Sequence, residues 1–326
     1  MEYSLGEWAR ATEAELYARR SRMPGRKPSL RRRRGRIAVV TDSSCSLPAD
    51  RQGRVELGQL GANIISVPIP VMIEPAPRDA QIYPEPSAEL DRDLPLAVAQ
   101  GTPVRTSRPS PGRLAEVYRS LADQGYAGIA SVHLSGKLSG TVEAARLAAQ
   151  ESPIPVVAVD SGQAGLSLGH AVIDAATAAQ LGAGLDEVAE VAGRTAAASH
   201  SLFMVPNLEQ LRRGGRINAL AGILGNLLWV KPLLHIRDGE VQPLERPRTL
   251  PRAITRLSAR VEEAAAAMDR PRVVVHGFGN PDQARELAEA LQEHSAMPVP
   301  VVPLPPALGA HLGLGALAVC VSPAAD

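Results

Sequence analysis

The sequence is poor in cysteine and in aromatic residues. Its 326 residues include two Cys, two Trp, two Phe and five Tyr, and aromatics make up 3% of the chain. Cys45 and Cys320 can build neither a disulfide framework nor a four-cysteine zinc site, so nothing points to an oxidising compartment. So few rings leave the core aliphatic and argue against serial base stacking on single-stranded nucleic acid. No apolar run reaches the roughly 18 residues of a spanning helix. The longest candidate, residues 219–236, is broken by Asn226, Lys231 and Pro232. The seven histidines show no ligand spacing, so no metal is expected. A P-loop and a G-x-S-x-G elbow are both missing, and no cofactor is expected. No internal period marks a repeat array.

Apolar residues make up 45% and charged residues 21%, the balance of a globular protein. The formal net charge of +1 conceals an asymmetry. Residues 1–36 hold eleven Lys/Arg against four Glu, and the remainder holds 24 basic and 30 acidic residues. The mildly acidic remainder gives no electrostatic footprint for nucleic acid. Residues 1–35 are expected to form a disordered basic extension. The run from Arg19 is Arg-rich, interrupted by proline and without an apolar face. It also lacks the apolar core of a secretory signal. A membrane or nucleic-acid contact through charge alone stays open for it.

From Arg36 the pattern becomes strand, polar loop, helix, repeated. Strands are expected at 37–40, 63–71, 127–132 and 155–159, and helices at 111–124, 139–149, 164–181 and 185–198. Pro68 and Pro70 mark the second strand as a sheet edge or an early exit from the sheet, and residues 78–86 read as a Pro-rich turn. Such alternation implies a mostly parallel sheet covered on both faces, with ligands in the crevice at the strand ends. After residue 198 the strands come closer together, at 201–205, 232–237 and 240–245, with Asp238-Gly239 as a hairpin turn. Helices at 250–268 and 281–294 alternate with strands at 272–276, 299–303 and 316–321. The expected fold is therefore α/β in two domains: an N-terminal, mostly parallel three-layer domain over 36–198 and a C-terminal mixed α/β domain over 199–326.

Two loops at strand ends carry hydroxyl groups. In Thr106-Ser107-Arg108-Pro109-Ser110-Pro111, Ser110 is a natural helix cap with Pro111 behind it. Capping leaves Thr106 and Ser107 unexplained. In Ser135-Gly136-Lys137-Leu138-Ser139-Gly140-Thr141, the glycines allow close backbone approach and the helix start favours an anion. Ser139 is either a helix cap or a ligand-facing hydroxyl. Leu211-Arg212-Arg213-Gly214-Gly215-Arg216-Ile217 places guanidinium groups on a sharp turn, suited to an acidic partner or to solvent. His311 lies in a Gly-rich segment that permits close approach to another loop.

Thr41-Asp42-Ser43, the two hydroxyl loops, Asp160-Ser161, the 211–217 turn, Lys231-Pro232-Leu233-Leu234 and Gly309-Ala310-His311 follow one another in the order seen in the DegV family. The resemblance covers about residues 36–322. It implies two α/β domains with a long-chain fatty acid between them, and a role as the lipid-carrying subunit of a bacterial fatty acid kinase. A separate ATP-binding subunit would phosphorylate the bound acid for phospholipid synthesis, in the cytoplasm. By this resemblance Ser107 and Ser139, with Thr106 beside them, hold the carboxylate. His311 faces the head group, and Arg212, Arg213 and Arg216 belong to a kinase-contacting segment.

The chain departs from the family pattern in two places. Arg108 stands where the family usually has Gln, which would tighten carboxylate binding but weaken the carboxylate as a phosphoryl acceptor. The Pro-rich stretch 74–86 replaces an Asp-Gly-rich hairpin, which bears on tunnel shape. The physics otherwise agrees with the resemblance. Each buried methylene contributes roughly 0.8 kcal/mol, and a buried carboxylate needs hydrogen-bond donors to stay ionised. A phosphoryl group delivered by a partner with Mg²⁺ could then reach a free carboxylate oxygen. The alternative is a serine-dependent esterase or acyltransferase that uses Ser107 or Ser139 with His311 on acyl esters.

Overall fold

The computed structural model describes residues 6–8, 10–14, 36–76, 79–83, 86–216 and 230–324. The first half runs β1 (Ile37–Asp42), β2 (Ile64–Val67), β3 (Val71–Ala76), β4 (Asp79–Tyr83), α1 (Ala88–Ala99), β5 (Val104–Thr106), α2 (Pro111–Asp123), β6 (Gly128–His133), α3 (Thr141–Ala149), β7 (Val156–Asp160), α4 (Leu166–Gln180) and α5 (Leu185–Ala197). The second half runs β8 (His200–Met204), α6 (Glu209–Arg213), β9 (Leu233–Arg237), β10 (Glu240–Glu245), α7 (Leu250–Ala266), β11 (Arg272–Gly277), α8 (Pro281–Leu291), β12 (Val301–Pro303), α9 (Pro306–Leu312) and β13 (Leu317–Ser322).

The first sheet is parallel throughout, in the order β2-β1-β6-β7. Strand β1 shows why it is covered on both faces. Ile37 and Val39 pack into one buried cluster with Leu168 and Val172 of α4, whereas Ala38 and Val40 pack into another with Leu114, Tyr118 and Ala145 of α2 and α3. Alternate side chains of a strand point to opposite faces, so an unbroken aliphatic run needs a layer on each side. The expected three-layer arrangement is the one observed. β2 is an edge strand, as its following prolines imply.

The stretch around residues 78–86 corrects an expectation. It is not only a turn: β4 pairs antiparallel with β3, which in turn pairs with β5, forming a separate three-stranded sheet. Pro75 falls inside β3 where its pairing with β4 is irregular, between Ile73 and Ala76, a position at which a strand tolerates proline. Helix α1 was also not anticipated, because Pro95 sits inside it. Ser87 caps it by accepting from the Leu90 N–H, and Leu90, Leu94 and Ala97 bury one face. That packing outweighs the one backbone bond proline removes.

The second sheet has six strands in the order β10-β9-β8-β13-β11-β12, all antiparallel except the β11–β12 pair. Leu202, Met204, Val273, Val275, Val319 and Val321 face α7 and α8 and close one core. The opposite face carries Phe203, Ala318 and Cys320, which join the cluster of the first lobe. The two lobes are also tied by a buried ion pair. Arg272 of β11 donates two hydrogen bonds to Asp174 of α4, at 2.9 and 2.7 Å, and Thr195 donates a third at 2.9 Å.

Residues 6–8 and 10–14, within the stretch expected to be a disordered extension, are helical. Trp8 is fully buried, its ring centroid 5.5 Å from that of His170. One large apolar side chain seated on α4 anchors these residues despite the charge that follows. The Arg-rich residues 19–35 lie outside the described residues.

Candidate functional site

The parallel strands end on the same edge, and their C-terminal loops open toward the second sheet. A cavity of about 880 Å³, its mouth included, lies between them. Its walls are mostly aliphatic, with Ile69, Leu134, Ile236, Val241, Leu304 and Leu308 among the lining residues. Among the described residues no Asp or Glu lines it.

Polar groups gather at one part of the wall, and the sequence singled out most of them. Thr106, Ser107, Ser139 and His311 all line this cavity. Thr106 at the end of β5 shares a hydrogen bond with His311 Nε2 at 2.8 Å, joining residues from the two lobes. The Ser107 N–H donates to the Pro70 carbonyl at 3.1 Å, and its exposed hydroxyl is uncommitted among the described residues. Ser110 does cap α2, accepting from the Arg113 N–H at 3.1 Å. Ser139 does not cap α3. Gly140 occupies the cap position without a side-chain bond, and the Ser139 hydroxyl pairs with that of Thr141 at 2.8 Å.

The 211–216 turn divides in two. Arg212 and Arg213 are exposed, and Arg213 pairs with Glu209 and reaches the Gly101 carbonyl. Arg216 turns inward and lines the cavity, donating from Nε to the Leu138 carbonyl at 3.2 Å. Gly214 has a role the sequence did not disclose. A Cβ there would lie 2.3 Å from His311 Nδ1, so only glycine leaves room for the ring. Burial, helped by the positive charge of Arg216, pushes the His311 pKa down to about 4. The imidazole is therefore neutral near pH 7, with one donor and one acceptor nitrogen. Among the described residues no carboxylate pairs with it.

Arg108 also lines the cavity. Its guanidinium lies against Gly140, where a Cβ would come within 2.7 Å of Nη1. Among the described residues it has no hydrogen-bond or ion-pair partner. Deeper in the wall are Ser44, Ser201, His276 and Cys320, none of them anticipated as site residues. Burial raises the Cys320 thiol pKa and lowers His276 to about 4, so neither is charged near neutrality.

The floor beneath Ser44 is a buried polar chain. The Ser44 hydroxyl donates to Asp42 Oδ1 at 2.5 Å, and Asp42 Oδ2 meets His133 Nδ1 at 3.0 Å. His133 Nε2 meets Ser131 Oγ at 2.8 Å, and Ser131 meets the Tyr118 hydroxyl at 2.7 Å. These groups fix the end of β1 to the end of β6, which positions the 135–141 loop that follows β6. Among the described residues no group of three His, Cys, Asp or Glu could hold a metal ion. Among them, no helix is long and apolar enough to cross a membrane.

The fold and cavity define a class: two α/β lobes enclosing an aliphatic pocket whose polar groups come from both. Within that class the chain belongs to the DegV family, described as an uncharacterised protein family, whose profile matches residues 36–324. A DegV domain-containing protein of Streptomyces coelicolor is 38% identical over 290 residues, covering 88% of this chain and 98% of its own. One from Mycobacterium tuberculosis is 35% identical over 288 residues, covering 87% of this chain and 96% of its own. A solved DegV family protein from Thermus thermophilus, described by its fatty acid binding, superposes with a TM-score of 0.75 at 32% identity. It spans 88% of this chain and 99% of that one. DegV from Bacillus subtilis, described as a fatty acid binding protein, gives 0.76 at 28% identity over 88% of this chain and 99% of its own.

Proposed function

We propose that the protein binds one long-chain fatty acid in the cavity, with the carboxylate among Thr106, Ser107, Ser139 and His311. The observation that carries this reading is an aliphatic pocket whose polar end is built from hydroxyl, imidazole and guanidinium groups, with no acid beside them among the described residues. About ten buried methylenes contribute roughly 8 kcal/mol. Association alone costs roughly 4–15 kcal/mol, so tail and head group must act together. In this reading the domains divide near residue 198, the cavity lying between them.

The acid is then a substrate held for another protein. An ATP-dependent kinase subunit, in the cytoplasm, transfers phosphate to the presented carboxylate, and the acyl phosphate enters phospholipid synthesis. The exposed Arg212 and Arg213 support a docking role. The inward Arg216 supports a place beside the ligand rather than on the partner. Denaturing mass spectrometry of the purified protein tests the binding step. A stoichiometric long-chain fatty acid is expected; an empty protein that also takes up no added acid would falsify the reading. The presenting role is tested by adding kinase subunit, ATP and hydroxylamine and measuring acyl hydroxamate, which should drop in Arg212→Ala/Arg213→Ala.

A further inference from the structure

The head-group end carries more positive charge than a carboxylate can balance. Among the described residues its cations are Arg108 and Arg216, and no Asp or Glu stands in the wall with them. The histidines of that wall, His276 and His311, have pKa values held near 4 and are neutral near pH 7. A fatty acid brings one negative charge. Arg216 is held by the Leu138 and Gly214 carbonyls, which satisfy its hydrogen bonds but supply no charge. Arg108 is exposed to solvent and has no partner among the described residues. It stems from the residue next to Ser107 and its guanidinium rests on Gly140, next to Ser139. A planar fork with free donors beside three hydroxyls suits a tetrahedral oxyanion, which offers three oxygens to a carboxylate's two.

Resting on the fatty-acid reading above, we propose that Arg108 is a specificity-determining residue that makes the site prefer a long-chain phosphate monoester or acyl phosphate over the free acid. The charge count is the main reason. A dianionic head group neutralises both guanidinium groups, whereas a carboxylate leaves one uncompensated. Gly140 is part of the device, because any side chain there displaces the guanidinium. Its φ of −76° is open to alanine, so the displacement costs the backbone little.

Calorimetric titration with hexadecyl phosphate, hexadecanoate and hexadecanol tests this, at a pH well above the second phosphate pKa of roughly 6. Hexadecyl phosphate is a stable monoester with the same tail as the acid, and the alcohol reports the tail alone. The full-length protein should bind the phosphate about tenfold more tightly than the acid, as one charge-assisted pair supplies. Arg108→Gln should reduce that ratio to about twofold or less, and so should Gly140→Ala, which keeps the arginine but moves it. Equal or tighter binding of the acid by the unaltered protein overturns the proposal, as does an unchanged ratio in Arg108→Gln. Binding of the phosphate but not the acid would sustain the proposal and sink the fatty-acid reading. Failure of all three amphiphiles to bind would sink both.

Discussion

Glycine at 214 matters through a residue almost a hundred positions away. The His311 ring occupies the volume a side chain would need, and Gly214 has φ of −76°, so alanine fits the backbone there. Gly214→Ala is therefore expected to displace His311 without unfolding α6. If His311 holds the head group, both Gly214→Ala and His311→Ala should weaken hexadecanoate binding by roughly five- to tenfold, the loss of about one hydrogen bond. Binding isotherms of the two variants check this; full affinity in Gly214→Ala would detach His311 from the ligand. At this scale the sequence was partly readable. Thr106, Ser107, Ser139 and His311 carried a hydroxyl or imidazole signal in glycine-rich or cap-like settings, and they do converge on one cavity. The contact between Gly214 and His311 had no such signal, since it depends on how α6 and α9 meet. The inward turn of Arg216 was hidden for the same reason.

Among the elements, the β9–β10 hairpin closes one side of the cavity. Ile236 and Val241 line the wall, and the turn between them is fastened to the first lobe. The Ser135 hydroxyl donates to the Gly239 carbonyl at 2.6 Å, and Gly239 has φ of +78°, a conformation that suits glycine. Ser135→Ala removes that fastening and leaves the buried carbonyl without its partner. A stability loss of about 1 kcal/mol is expected in denaturant unfolding, with faster release of a bound fluorescent fatty acid. An unchanged release rate would mean that the hairpin is not the gate. Elements with a clean period were legible: β1, β6, α2 and both hairpin strands fall within a few residues of expectation. Those missed lacked one. β5 is three residues long, α1 contains Pro95, α9 begins at Pro306-Ala307, and β3 and β4 sit among prolines.

Across the whole molecule, the buried histidines tie stability to pH. Burial lowers His276 from 6.5 to about 4, lowers His311 to about 4 and holds His170 well below 6.5, where Arg272 and His276 add repulsion. Between those values and the unfolded value near 6.5, the unfolded chain binds more protons than the folded one. Stability therefore rises with pH through that window and is lost on acidification toward pH 4. For the fully buried His276 the loss amounts to roughly 3 kcal/mol across the window. Melting temperatures measured from about pH 7 down to about pH 5 should fall steadily. His276→Gln should start lower and fall less steeply, and a parallel slope would remove His276 from the cause. The two-lobed plan was readable from the strand–helix rhythm and the order of the loop motifs. The strand order of the second sheet was not, because β13 enters between β8 and β11 only when the chain returns from its far end.

The Asp42–His133–Ser131 chain has the connectivity of a hydrolase triad, with carboxylate on Nδ1 and hydroxyl on Nε2. Yet Ser131 is fully buried against Tyr118, with no route for an ester to reach it. A three-point template search would flag this protein as a serine hydrolase, and a fluorophosphonate reagent would leave that serine unlabelled. In this molecule the arrangement is masonry, not machinery.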